Sequence, residues 1–245
     1  MFYGSGKSTD FSKPGVGFNW KKNAFGVTVY NNTGGTLHKG DVVALKPTGT
    51  SGQEWKAIIP ATNAVESYLA VVIDTTIENA AIGKVLTYGQ VDECRVLGHA
   101  SIAANVFLEC INRIAFDGTE TNLAFVAGSG STRDTITDSD SGLATDGFLA
   151  GMRIVIAGAT TSGNDGSHLI YSVAAGTITL DSIGQVTSEA GASGMTMLTQ
   201  GFFRYDATSE SVNSPAVAGE AYTTTTAVAL KKVFLTGIRK VIAAS

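Results

Sequence analysis

Residues 26–46, GVTVYNNTGGTLHKGDVVALK, alternate strand-forming runs with turn chemistry, and this grammar recurs along most of the chain. Val27 and Val29, then Val42, Val43 and Leu45, supply branched aliphatic side chains that favour extended backbone. Between them Asn31-Asn32-Thr33-Gly34-Gly35 tolerates positive φ, and Lys39-Gly40-Asp41 reads as a second turn feeding a buried strand. Further strand candidates follow at 54–60, 67–74, 83–88, 91–97, 104–110 and 112–116, and again at 201–206, 227–231 and 232–238. Tyr68–Ile73 is the most apolar and is read as a central strand. Ile77–Ile82 reads as a single helical turn ended by Gly83. Short strands at this spacing imply an all-β fold, a sandwich or a small barrel.

Composition narrows the class. Glycine accounts for 29 of 245 residues while proline accounts for only 4, so the chain is turn-rich without being a linker. Charged residues make up 16%, against about 25% in an average domain, which suits surfaces buried in an assembly. A net charge of −4 argues against a dedicated nucleic-acid binder. No run approaches the roughly 18 apolar residues of a membrane helix, and the start, MFYGSGKSTDF, lacks the apolar core of a signal peptide. Cys94 and Cys110 sit in apolar, strand-like surroundings. They read as buried free thiols, a hairpin disulfide being the alternative.

Charge divides the chain. Residues 1–118 hold 10 basic and 10 acidic side chains, residues 119–200 hold 2 and 8, and residues 201–245 hold 5 and 3. The acidic middle block contains its own strand patterns around Thr135-Ile136, Gly142–Phe148, Ala150–Ile156, Leu169–Val173 and Thr177–Leu180. It is read as a small β-barrel domain (119–200) inserted into a main β domain formed by 26–118 and 201–245. Ahead of these lie residues 1–25, an extended arm with Lys7, Lys13, Lys21 and Lys22 against Asp10 alone. Glycines and Pro14 break any regular element there, yet Phe2, Tyr3, Phe11, Phe18 and Trp20 are spaced along it. Five aromatics are costly to leave in water. These nine residues, Phe2, Tyr3, Lys7, Phe11, Lys13, Phe18, Trp20, Lys21 and Lys22, are therefore read as a partner-binding set.

No catalytic, cofactor-binding or metal-binding residues are assigned. Gly4-Ser5-Gly6-Lys7-Ser8-Thr9 has no glycine at the required spacing and no room for a preceding strand, so it fails as a phosphate-binding loop. His38, His99 and His168 lack ligand spacing. Asp134, Asp138, Asp140 and Asp146 cluster in sequence, but Gly142 stands where an EF-hand loop needs an oxygen ligand, leaving a solvated turn or a loose Ca²⁺ site. Asp92 and Glu93 are adjacent, so on a strand they face opposite sides. The chain reads as no enzyme.

The run Val29-Tyr30-Asn31-Asn32-Thr33-Gly34-Gly35-Thr36-Leu37-His38-Lys39-Gly40-Asp41-Val42-Val43-Ala44-Leu45 resembles the first hairpin of tailed-bacteriophage capsid decoration (cement) and related virion structural proteins. Leu69–Asp74, Ile82–Gly89 and Ala229–Ile238 are similar to later strands of the same domain. In the middle block Asp146-Gly147-Phe148-Leu149-Ala150-Gly151 and Ser162-Gly163-Asn164-Asp165-Gly166 are similar to phrases of a small β domain in phage structural proteins. The resemblance implies a β-sandwich or tulip-like main domain and a homotrimer made in the host cytoplasm and set on the outer surface of a virion shell. The implied partner is the major capsid protein. It brings no catalytic residues, cofactor, nucleic acid or membrane. The arm would dock on the shell or a neighbouring subunit, with the acidic insert pointing outward, where it could meet the host surface. Two rival readings stay open: a head-fibre or carbohydrate- or receptor-binding module, and a tail or adaptor subunit.

Overall fold

A computed structural model of the chain describes residues 16–19, 24–48, 55–60, 68–111, 115–117, 123–140, 142–192, 194–205 and 215–237. The fold is all-β, with a closed five-stranded barrel and a curled sheet. Among the described residues the only helical piece is a single 3₁₀ turn at Ser162–Asn164. The first part of the chain forms β1 (Val16–Asn19), β2 (Ala24–Asn31), β3 (Leu37–His38), β4 (Val42–Pro47), β5 (Trp55–Ile58), β6 (Tyr68–Val72), β7 (Thr76–Ile77), β8 (Ile82–Leu97) and β9 (Phe107–Ile111). The middle forms β10 (Ala115–Asp117), β11 (Leu123–Val126), β12 (Thr135–Asp138), β13 (Arg153–Ala157), β14 (Gly166–Ala174), β15 (Thr177–Leu180), β16 (Glu189–Ala192) and β17 (Thr196–Thr199). The end forms β18 (Phe202–Tyr205), β19 (Ala216–Ala218) and β20 (Val228–Leu235).

Strand pairing separates these elements into two large sheets. A ten-stranded sheet runs β1-β2-β5-β4-β6-β8-β18-β9-β19-β20, and an eight-stranded sheet runs β10-β17-β13-β14-β15-β12-β11-β16. The second therefore uses only residues between 115 and 199. Strands β3 and β7 form a small clip beside the first sheet, through Leu37↔Ile77 and His38↔Thr76.

The 16-residue strand β8 organises the ten-stranded sheet. Its first half pairs with β2 and β6, which closes the barrel β2-β5-β4-β6-β8. Its second half pairs antiparallel with β20 and meets β18 in parallel at Phe203↔Val96, so a second ring, β8-β18-β9-β19-β20, shares the same strand. The handover falls at Gly89, whose φ of 101° lies in a region that side chains with a Cβ avoid. The sequence pattern suggests two strands, 83–88 and 91–97; one strand passes continuously through the glycine.

Alternation along these strands sends side chains into three cores. Val27, Val29, Val43, Leu45, Ala57 and Val85 belong to the first, inside the barrel. Val42, Val71 and Leu86 turn outward from the same strands and join Cys94, Leu108, Phe203 and Leu235 in a second core against the second ring. Phe125, Phe148, Ile154, Ile178 and Met197 centre the third, in the eight-stranded sheet. Both cysteines are buried and neither is disulfide-bonded. Burial, then the neighbouring Cys110, pushes the Cys94 thiol well above its ordinary pKa.

Three local expectations change. Ile77 lies in β7, and Glu78–Ala81 make a turn closed by the Ala81 N–H donating to the Glu78 carbonyl at 3.0 Å, with Ala80 at φ 62°, so no helical turn forms. Gly142–Phe148 forms turns rather than a strand. The arm expected over residues 1–25 is in part a strand: Val16–Asn19 pairs with β2 from Val16↔Val27 to Asn19↔Ala24.

Candidate binding cleft at the barrel mouth

At one end of the five-stranded barrel the interior opens into a cleft of about 350 Å³. The register brings the lining residues together there: Phe25 opposite Tyr88, Leu45 opposite Tyr68, and Pro47 opposite Trp55. Val27 and Leu45 form its inner wall, continuous with the barrel core. Phe25, Trp55, Tyr68 and Tyr88 form the rim, with Pro215 and Gly237 contributed from the second ring. Tyr68 and Tyr88 are each 46% exposed, unusual for aromatics that already have a core beside them. Trp55 meets Tyr68 edge-to-face, with ring centroids 6.1 Å apart.

A bulge sets the rim geometry. Phe25 pairs with Tyr88 but Gly26 pairs with Leu86, so Thr87 is the additional residue on β8. Its hydroxyl donates to the Phe25 carbonyl at 3.0 Å. Bulges of this kind re-aim neighbouring side chains, and here the re-aimed residue is Tyr88. No charged side chain among the described residues lines the cleft. The site can offer aromatic faces and apolar walls, which suit an apolar or aromatic segment better than an ion.

The charged chemistry lies elsewhere, in the seam between the two large sheets. Asp41, fully buried, accepts hydrogen bonds from the His38 N–H at 2.8 Å and from Arg95 Nε at 2.7 Å. Arg153 Nε lies 3.6 Å from its other face, close enough for an ion pair but too long for a hydrogen bond. Arg95 also donates Nη1 to the Gly151 carbonyl at 2.8 Å. One carboxylate thus ties the turn before β4 to β8 and to the eight-stranded sheet. Backbone bridges Val42↔Gly201 and Ala150↔Ala227 flank it.

Two further aspartates brace loops. Asp134 accepts from the Gly128, Gly184 and Gln185 N–H groups and from Ser182 Oγ. Burial alone would raise its pKa, but these donors hold it below the ordinary value. Asp138 accepts from the N–H groups of Asp140 and Gly142. Among the described residues no three His, Cys, Asp or Glu side chains converge as metal ligands. His99 stacks on Tyr205, His38 faces the Thr36 carbonyl, and His168 faces the Asn164 carbonyl.

Of the nine arm residues, Phe2, Tyr3, Lys7, Phe11, Lys13, Trp20, Lys21 and Lys22 lie outside the described residues. Phe18 lies in β1 with Phe25 as its cross-strand partner. Sequence reasoning passed over the rim. The available signal was the position of Phe25, Trp55 and Tyr68, each at or beside the start of a strand where an aromatic is not needed for alternation, whereas Tyr88 lies inside β8 and gave none. No family model, curated protein or solved structure matches the chain.

Proposed function

We propose that this chain is a virion structural protein of the capsid decoration (cement) class, which binds the outer surface of an assembled shell and stabilises it through contacts between subunits. The observation that carries the reading is the uncharged aromatic mouth of the barrel, a surface built for contact. Aromatic residues at the centre of a patch dominate binding energy where proteins meet. The phrase that resembles decoration proteins, Val29–Leu45, folds as the end of β2, a turn, β3, a second turn and most of β4, and it supplies both Asp41 and the mouth residue Leu45. A ligand that engages only the assembled state favours that state by mass action. The major capsid protein and further copies of this chain, as a homotrimer, are the partners this reading requires.

The test is occupancy on intact shells. Copurification at a copy number in the hundreds is expected; a dozen copies or fewer would indicate a tail or adaptor position instead. Two variants locate the contact. Removal of residues 1–15 leaves the β1–β2 hairpin in place, and Tyr68→Ala combined with Tyr88→Ala strips the rim. Each is expected to lower occupancy at least tenfold while circular dichroism stays that of a β protein. Wild-type occupancy of both variants would overturn the proposal.

A further inference from the structure

We infer that the outer face of the five-stranded barrel is a docking surface for the acidic block of a second copy of this chain. The inference deepens the homotrimer of the proposed function, and it rests on that reading only for the number of copies.

Strand register fixes the basic half. Val29, Leu45, Ala57 and Val85 point into the barrel core, so alternation turns Tyr30, Lys46, Lys56 and Lys84 outward. Pairing then aligns Ile82 with Tyr30, Tyr30 with Lys56 and Lys56 with Lys46, one unbroken row across β8, β2, β5 and β4. Lys84 lies beside the row, opposite Thr28. Among the described residues every arginine pairs with an acidic side chain, as do Lys39 and Lys231, whereas Lys46, Lys56 and Lys84 do not. Like charges directly opposite each other destabilise a sheet. Lysines often guard an exposed sheet edge, but β5 lies between β2 and β4, and β4 between β5 and β6, so neither strand is an edge. Edge protection therefore does not account for the pair. A docked acidic surface does, because its carboxylates offset the repulsion. Ile82, 58% exposed at the end of the row, adds an apolar contact beside the charges.

The acidic half lies in residues 119–200, which carry 8 acidic and 2 basic side chains. Both of those arginines are engaged, Arg133 with Asp181 and Arg153 with Asp41. Asp134 and Glu189 accept hydrogen bonds from neighbouring loops. The turn after β12 differs. A Cβ placed on Gly142 would lie 3.3 Å from Asp146 Oδ2 and 3.4 Å from Asp138 Oδ2, so two carboxylates converge on one glycine. Among the described residues no basic side chain pairs with either. Asp146 is exposed, and so are Ala144 and Thr145 before it, whose small side chains let the turn approach a flat sheet face. Two neighbouring carboxylates thus match two neighbouring lysines in sign and spacing. Row and turn are different surfaces, so the contact runs head to tail, and such contacts close into rings when the rotation allows.

Sedimentation of the full chain tests this. The copies are expected to associate at about 0.1 M salt and to dissociate at about 1 M, where screening acts within about 3 Å. Lys46→Gln combined with Lys56→Gln, and separately Asp146→Arg, are each expected to weaken association at least tenfold while circular dichroism stays that of the full chain. Mixed in equal amounts, the two variants still hold one intact row and one intact turn between them. They are expected to form a one-to-one dimer and nothing larger. A full chain that is monomeric at about 0.1 M salt would overturn the inference, as would variants that associate like the full chain or a mixture that stays monomeric. Shell occupancy reads the other proposal separately. Copies that associate without decorating shells would remove only the shell reading, and decorated shells with no association between copies would remove only this contact.

Discussion

Asp41 carries a carboxylate with no exposed surface between Arg95 and Arg153, themselves nearly buried. Such clusters are weak evidence of net stabilisation, but removing one member strands the others without compensation. Asp41→Ala should therefore cost about 3–5 kcal/mol, read as a lowered denaturant midpoint; a loss under about 1 kcal/mol would refute the role given to it. Asp134 makes a pH prediction. Its pKa in the fold lies below the ordinary value, so its contribution is present above about pH 4 and is lost as pH falls further. Asp134→Asn should cost about 1–3 kcal/mol at neutral pH and flatten the acid limb of the stability curve. An unaltered acid limb would show that the four donors around this carboxylate do not discriminate its charge. Neither residue could be ranked from sequence. Lys39-Gly40-Asp41 reads as turn chemistry, and the turn is real, but burial of its last residue depends on a sheet that starts tens of residues later in the chain.

Strand β8 shows what patterning can and cannot reveal at the level of elements. Alternation in Ile82–Leu97 identifies extended backbone on both sides of Gly89, and the natural reading of a glycine there is a break. The structure uses it as a bend, because each half of the strand finds partners in a different ring. Long-range pairing therefore overrides the local signal. The same holds at Ile77, where pairing with Leu37 wins over a helical turn, and at Gly142–Phe148, whose apolar residues reach the core from turns. Gly89→Ala places a Cβ at φ 101° and should cost about 1–3 kcal/mol. Because both rings share the strand, unfolding followed at Trp55 and by far-ultraviolet circular dichroism should shift together. Movement of only one probe would mean that the rings unfold independently.

At the scale of the molecule, the seam between the two large sheets gathers positive charge. Arg95 and Arg153 face one carboxylate there, and His38 and His168 approach the same Arg153. Burial, with Arg153 adding to it, lowers the pKa of both histidines from 6.5, although Asp41 and the Thr36 carbonyl oppose this at His38, and the Asn164 carbonyl and Asp134 at His168. A histidine that binds its proton more weakly in the fold than in the unfolded chain favours unfolding as pH falls. The seam should thus be fully stable above about pH 6.5 and weaken progressively below it. This window lies well above the one set by Asp134, so the two are separable in a single pH series. Calorimetry between about pH 7.5 and pH 5 should show a falling melting temperature, and His38→Gln combined with His168→Gln should remove most of that slope. The acid limb below about pH 4 should persist in the double variant, since it belongs to Asp134 and not to the seam. An unchanged slope between about pH 7.5 and pH 5 in the double variant would place the sensitivity elsewhere and leave the seam as a fixed joint.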